Sequence, residues 1–209
     1  MDNELPELTS LSTGNCWSNL EENAMLWKFQ GNVLPNLETL DLRNSDLEVL
    51  TNNSLGQLRT LNLEGELLVE VANNTLDGLE ALRINCLSRM NFTGNSLYGL
   101  RELSIVSLSR SDLQSLESNQ LPYLAKLEIV NGQFRNLSEL FTFPALTIAN
   151  LPTNNISVAV NVTSKMEQLY LGRNDIRIFQ NNSFPVLQAL DISYNRLATF
   201  NGNSLPAVR

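Results

Sequence analysis

The chain has 209 residues, of which 43% are hydrophobic, so it is long and apolar enough to bury a substantial core. Its 22 acidic and 14 basic residues leave a formal net charge of −8. An acidic surface is repelled by phosphate backbones, which argues against a nucleic-acid partner.

Histidine is absent from the sequence. This absence removes Ser-His-Asp and Cys-His catalysis and His-ligated metals, because those chemistries need an imidazole. We therefore expect no enzyme activity and no cofactor or metal. The N-terminus lacks the basic and apolar regions of a signal peptide, and no later run approaches the roughly 18 apolar residues of a membrane span.

An internal repeat with the template L-x-x-L-x-L dominates the chain. Residues 1–36 form an irregular segment or a first repeat beginning at Leu8. Residues 37–207 hold eight repeats, which start at 37, 58, 79, 100, 124, 143, 166 and 187, and residues 208–209 begin another. Each unit is too small to bury its own apolar face, so stacked units must share one core. Because the last unit stops at its start, we expect a longer native protein or a partner that covers this end.

Two units complete a longer pattern, L-x-x-L-x-L-x-x-N-x-L. They are "MEQLYLGRNDIRIF" and "LQALDISYNRLATF", with Asn174 and Asn195 in the asparagine slot. On these motifs, about 170 residues of the chain resemble the leucine-rich repeat family. The resemblance implies an α/β-type solenoid, a curved horseshoe with a parallel β-sheet on its concave face and irregular or short helical segments on its convex face.

Several units lack asparagine in that slot, so we expect the central repeats to be less regular. The slot there holds Ser45, Glu66, Leu87, Leu108, Gly132 and Leu151.

A second asparagine recurs five residues before most repeat starts, in the pattern N-x-[LF]-x-x-L. We interpret it as a turn or capping residue whose side-chain carbonyl accepts a hydrogen bond from a nearby backbone N–H. The set is Asn32, Asn53, Asn74, Asn95, Asn119, Asn161, Asn182 and Asn203.

Seven N-x-[ST] sequons all fall on the returning side of the repeats, which leaves the strand side bare. In "NNTL", Asn74 is the repeat asparagine, and Asn73 is the extra residue that makes the sequon; position 73 would otherwise tolerate almost any polar residue. This placement favours glycosylation and an extracellular chain, with a cytoplasmic location as the alternative. The candidates are Asn52, Asn73, Asn91, Asn136, Asn155, Asn161 and Asn181.

The two cysteines, Cys16 and Cys86, lie three repeats apart. At about 4.8 Å per stacked strand their separation is roughly 14 Å, beyond the ~7 Å limit for a disulfide. We therefore predict that they are not bonded to each other. Our preferred interpretation makes Cys16 a buried apolar residue and Cys86 a half-exposed thiol; the alternative is pairing with a missing segment or another chain.

Alternation along the strands predicts which side chains face outward onto the concave surface. These outward positions contain a strip of apolar and aromatic side chains bordered by charged residues of both signs. Binding energy at protein surfaces concentrates in such apolar and aromatic anchors. The alternatives are that β-branched residues only stabilise the strands or that a convex loop covers them. The candidate binding residues are Arg83, Val106, Glu128, Val130, Ala149, Tyr170 and Tyr194.

The repeats and the N-x-[LF]-x-x-L segments resemble Toll-type receptor ectodomains and secreted invertebrate immune proteins of the leucine-rich repeat family. The resemblance implies recognition of a protein partner or a microbial or extracellular ligand, with homo- or heterodimers possible. An intracellular leucine-rich repeat adaptor or scaffold is the alternative. An enzyme would need a site built from carboxylates alone, and no paired Asp or Glu on the concave positions suggests one.

Overall fold

The computed structural model describes residues 5–12, 28–42, 47–65, 67–86, 90–107, 113, 116–135 and 137–208, and it shows a parallel β-solenoid. The strands are β1 (Ser10–Ser12), β2 (Lys28–Gln30), β3 (Thr39–Asp41), β4 (Val49–Thr51), β5 (Thr60–Gly65), β6 (Glu70–Ala72), β7 (Ala81–Cys86), β8 (Asn91–Thr93), β9 (Glu102–Ser107), β10 (Lys126–Val130), β11 (Ile148–Asn150), β12 (Val158–Val160), β13 (Gln168–Tyr170), β14 (Ile178–Gln180), β15 (Ala189–Asp191) and β16 (Thr199–Asn201).

The L-x-x-L-x-L segments form a seven-stranded parallel sheet, which we call the front sheet. It runs β5-β7-β9-β10-β11-β13-β15, so neighbouring repeats pair in chain order. At the N-terminal side β1 pairs with β3, and Leu11 lies opposite Leu40. The predicted repeat that begins at Leu8 therefore contributes a strand.

The returning side of the solenoid contains short strands rather than helices. These return strands form two parallel sheets, β2-β4-β6-β8 and β12-β14-β16. Within the described residues the only helix is a 3₁₀ segment, Leu137–Thr142, between the two sheets. There the buried Glu139 carboxylate accepts a hydrogen bond from the backbone N–H of Leu116. Within the described residues, the short helical segments expected on the convex face are thus limited to this one 3₁₀ segment.

Side-chain alternation places one leucine-rich row of each strand in the core. In β7, Leu82 and Ile84 are buried, whereas Arg83 and Asn85 are exposed. Leu50, Val71 and Phe92 of the return strands fill the opposite side of the same core. Burying each such side chain contributes about 1.5–3 kcal/mol, so stacking repeats supplies what a single repeat lacks.

The recurring asparagines form a buried ladder between repeats. Asn74 Oδ1 accepts hydrogen bonds from Asn53 N at 3.0 Å and Asn53 Nδ2 at 3.0 Å. Asn74 Nδ2 donates to Asn95 Oδ1 at 3.0 Å and to Leu50 O at 2.9 Å. The predicted bond to a backbone N–H is confirmed, but its partner lies one repeat earlier, so the ladder ties repeats together instead of capping a local turn.

The residue before most ladder positions adopts a left-handed backbone conformation, the exception being Ser118 before Asn119. Its φ lies between 54° and 69° at seven positions, which we call the return column: Gly31, Asn52, Asn73, Gly94, Asn161, Asn181 and Gly202. Only glycine or asparagine occupies them, as expected where φ is positive. The expectation that position 73 tolerates almost any polar residue is therefore wrong. Asn161 belongs to this column and not to the ladder. The next residue, Val162, occupies the ladder position and takes part through its backbone N–H.

One repeat starts three residues later than the sequence pattern predicts. Ala149 pairs in register with Leu127 on one side and Leu169 on the other, both of which are inward core positions. The unit therefore reads "LTIANL" from Leu146, not "FPALTI" from 143. This register places Asn154, not Leu151, in the asparagine slot.

Asparagines in the slot of the C-terminal repeats form a second ladder, the strand-end ladder of Asn154, Asn174 and Asn195. Asn174 Oδ1 accepts from Ile156 N at 3.1 Å, and Asn174 Nδ2 donates to Leu151 O at 2.8 Å and Leu171 O at 3.0 Å. Among the other predicted slot residues, Ser45, Glu66, Leu87 and Leu108 lie outside the described residues.

Candidate functional site

The outward face of the front sheet carries most of the predicted binding residues. Strand register aligns one row of side chains across successive strands: Asn62, Arg83, Ser104, Glu128, Asn150, Tyr170 and Asp191. Three of the predicted residues, Arg83, Glu128 and Tyr170, fall in this row. The sheet therefore presents them on one continuous surface.

Glu128 lies at the centre of this surface and is held from both sides. Ser104 Oγ donates to its Oε2 at 2.7 Å, and Asn150 Nδ2 donates to its Oε1 at 2.9 Å. These bonds connect β9, β10 and β11 and fix the direction of the carboxylate. A fixed, half-buried acceptor of this kind suits recognition because little rotamer entropy is lost when a partner binds.

Val106 and Val130 lie opposite each other on neighbouring strands and are both half-buried. Such a pair is a small apolar contact beside the Glu128 carboxylate. Ala149, predicted as the third member of this strip, has 0% exposure and faces the core. Its outward placement is wrong, because the shift of register in that repeat turns it inward and presents Asn150 instead.

A charged pair lies on the same outward face as the apolar pair. Arg83 Nη2 lies 3.8 Å from Glu102 Oε2 on the neighbouring strand, and both side chains are about half exposed. Exposed pairs of this kind contribute about 0–1 kcal/mol, so their value lies in orienting a partner. Glu102 in turn lies opposite Lys126.

The two predicted tyrosines differ in environment. Tyr170 is half-buried, and its hydroxyl donates to Gln168 Oε1 at 3.3 Å. Tyr194 lies beyond the end of β15, is 77% exposed and has a φ of 53°. The guanidinium of Arg173 stacks over its ring, 4.9 Å from the centroid. Tyr194 therefore belongs to the strand-end edge and not to the row that contains Tyr170.

Sequence reasoning missed Ser104, Asn150 and Arg173. Ser104 and Arg173 were visible in the repeat alignment, but a serine or an arginine at an outward position carries no distinctive pattern. Asn150 was hidden by the wrong start of its repeat. Only the pairing of β11 with its neighbours reveals that it reaches Glu128.

The predicted glycosylation sites are largely exposed. Of the six that the structure describes, five are exposed, and all five lie at or beside return strands: Asn52, Asn73, Asn91, Asn161 and Asn181. Asn155 is half-buried and directly follows the strand-end ladder residue Asn154, so its placement on the returning side is wrong. Asn136 lies outside the described residues.

Cys86 is the last residue of β7 and is a free thiol with 1% exposure. The expectation of a half-exposed thiol is wrong, because the strand continues to this residue and turns its side chain inward. Burial raises the pKa of the thiol, and a hydrogen bond with Ser107 offsets part of that shift. Cys16 lies outside the described residues, so the predicted absence of a Cys16–Cys86 disulfide stays a prediction.

The described residues contain no helix long and apolar enough to cross a membrane. No protein-family model matches the chain, and no curated protein or solved structure matches it either.

Proposed function

We propose that this chain is a binding module of the leucine-rich repeat type, with the front sheet as the concave face of a horseshoe that recognises a protein partner or a microbial ligand. The observation that carries the proposal is the Val106–Val130 pair beside the prearranged Glu128 carboxylate. An apolar contact next to an oriented polar group offers a partner both apolar area to bury and a fixed hydrogen-bond acceptor.

Site-specific photo-crosslinking tests where the partner sits. A crosslinking residue at Val130 of the front sheet is compared with one at Val158, an exposed valine on return strand β12. Incubation with material from the native source should yield a crosslinked species from position 130 and none from position 158. The captured molecule is identified by mass spectrometry, and its affinity for the purified chain is then measured.

Two charged variants complete the test. Val130→Arg should weaken binding of the captured molecule at least about tenfold, because it places an unpaired charge in the contact, whereas Val158→Arg should leave it unchanged. Crosslinks confined to position 158, or equal affinities for both variants, would reject the front sheet as the binding face.

We further propose that the module belongs to a secreted protein or a receptor ectodomain of the innate immune type, with glycans on its returning side and the possibility of dimers. The exposure of Asn52, Asn73, Asn91 and Asn181 beside the return strands supports this location, because a bulky glycan needs free surface. Mass spectrometry of protein from its native source is the test: every sequon peptide recovered without a glycan would contradict it.

An intracellular adaptor is the second candidate, and one observation favours it. Asn52, Asn73, Asn161 and Asn181 all occupy left-handed positions of the return column, where the backbone itself selects asparagine or glycine. These sequons therefore arise from the fold without any need for a glycan. The same mass-spectrometric measurement separates the two candidates.

A further inference from the structure

The ends of the C-terminal front strands form a polar cleft that is separate from the front sheet. It has a volume of about 350 Å³ and is lined by Asn131, Thr153, Asn154, Asn155, Arg173, Asn174 and Asp175. This volume is at the small end of ligand pockets, and it suits one side chain of a partner.

The backbone at this edge is left-handed in four successive repeats. We call these residues the strand-end column: Asn131, Thr153, Arg173 and Tyr194, with φ between 53° and 58°. In the return column every occupant is glycine or asparagine. Here a β-branched, a charged and an aromatic residue occupy the left-handed conformation, which is strained for such side chains. Strain of this kind is retained where the side chains have a use.

Arg173 is the strongest binding group in the cleft. Some exposed arginines pair with acidic groups: Arg59 Nη1 lies 3.2 Å from Glu80 Oε1, and Arg196 Nε lies 3.6 Å from Asp175 Oδ1. Arg173 instead stacks on the Tyr194 ring and forms no ion pair with the described residues, since the nearby Asp175 carboxylate lies against Arg196. The ring holds the guanidinium in place while leaving its N–H groups available for a ligand.

The neighbouring amides are already occupied by the fold. Asn154 Nδ2 donates to Ile129 O at 2.8 Å, Asn174 Nδ2 donates to Leu151 O at 2.8 Å, and Asn131 Nδ2 donates to Ser107 O at 2.8 Å. A neutral sugar needs several free donors and acceptors around its hydroxyls. The charged groups of the cleft are Arg173 and Asp175, and the Asp175 carboxylate lies against Arg196. The oriented guanidinium of Arg173, with the Thr153 hydroxyl also in the lining, suits a carboxylate.

We infer that the Arg173–Tyr194 pair at the strand-end cleft is a binding site for an aspartate or glutamate side chain of an acidic peptide or protein segment. A carboxylate on a short flexible stem reaches the guanidinium inside a cleft of this size, and Arg173 binds it through two parallel N–H groups. Binding at this cleft does not depend on binding of a partner at the front sheet.

Titration of the purified chain with short peptides tests the inference. Terminally blocked triglutamate is followed by the NMR signal of the Arg173 Nε–H group, with blocked triglutamine and a glucuronate disaccharide as comparisons. Triglutamate should shift this signal saturably, and added salt should weaken the binding because the contact is exposed. No saturable shift, or tighter binding of the disaccharide, overturns the inference.

Matched variants locate the contact. Arg173→Asn suits the left-handed backbone and should weaken triglutamate binding at least about tenfold, whereas Arg177→Asn, at an exposed arginine on the same turn, should not change it. Tyr194→Phe keeps the ring and the affinity, whereas Tyr194→Leu should weaken binding about threefold. Equal losses for the two arginine variants overturn the assignment, and thermal unfolding of each variant verifies that it is folded.

Discussion

The N-terminal and C-terminal parts of the front sheet use the same repeat in two different ways. Strands β5, β7 and β9 are six residues long, whereas β11, β13 and β15 are three residues long. In the long strands the eighth repeat position is still paired, since Gly65 lies opposite Cys86 and Cys86 lies opposite Ser107. In the short strands the same position is the left-handed residue of the strand-end column.

The asparagine that follows this position explains the difference. Asn174 Nδ2 donates to the carbonyl groups of Leu171 and Gly172, three and two residues earlier, and so closes a turn that ends the strand. The N-terminal repeats have Glu66, Leu87 or Leu108 in the slot, and leucine has no group that could make these bonds. In the last three repeats this asparagine therefore closes the turn that leaves the eighth side chain exposed, as Arg173 is, whereas Cys86 in a long strand is buried. Asn131 adopts the same left-handed conformation ahead of Gly132, so a slot glycine also permits it.

The largest expected effect comes from removing a strand-end asparagine. Asn174→Ala leaves the Ile156 N–H and the Leu151 carbonyl without their partner in the core, and should lower the free energy of unfolding by about 3 kcal/mol. Urea denaturation followed by circular dichroism measures the change. Asn85→Ala, at an exposed outward position of β7, is the control and should cost less than about 0.5 kcal/mol. Equal losses for the two variants would break the explanation given for the short strands.

The return column, which both parts of the chain share, provides the second test. Asn73→Ala forces a residue with a Cβ into φ 55° and should cost about 1–2 kcal/mol, whereas Asn73→Gly should be close to neutral. Thermal unfolding of protein made without glycosylation separates the backbone effect from any glycan. If both variants lose the same stability, the side chain matters and not the backbone conformation.

Relief of strain in the strand-end column is the third test. Thr153→Asn places a residue that tolerates positive φ at a position with φ 57°, and should raise the free energy of unfolding by about 1 kcal/mol. Thr60→Asn makes the same change in the extended strand β5 and should be neutral or slightly destabilising. A gain at position 60 equal to that at position 153 would show that strain is not the cause.

The smallest expected effect concerns the buried thiol of the long strands. Burial raises the pKa of Cys86 in the folded state, so the unfolded thiol ionises first as the pH rises. Across that alkaline window the folded state binds more protons, so stability falls with increasing pH. Comparing the pH dependence of unfolding for the chain and for Cys86→Ala isolates this contribution; identical slopes would contradict it.

Most front strands could be predicted from the leucine spacing, because a buried position in a short parallel strand is strongly apolar. The exception is the repeat around Ala149, where both "FPALTI" and "LTIANL" fit the template. An alanine gives a weak core signal, and only pairing with Leu127 and Leu169 selects the second register. The outward strip could therefore be predicted at Val106 and Val130 but not at its third member.

The asparagines show the limit of the sequence in a different way. Asn73 fits both a glycosylation pattern and a left-handed backbone position. The residue type alone therefore cannot show which of the two requirements explains the asparagine. The column of seven glycines and asparagines becomes visible only when the repeats are stacked and their φ angles are known.

By itself, the sequence determined the repeat, the parallel front sheet and the inward leucines, because periodic apolar residues must share a core. The tertiary structure decided which asparagines are buried in ladders and which side chains meet across repeats. Those features depend on hydrogen bonds between residues that lie about one repeat apart, such as the 21 residues from Asn53 to Asn74. The residue pattern within one repeat does not reveal these hydrogen-bond partners in the neighbouring repeat.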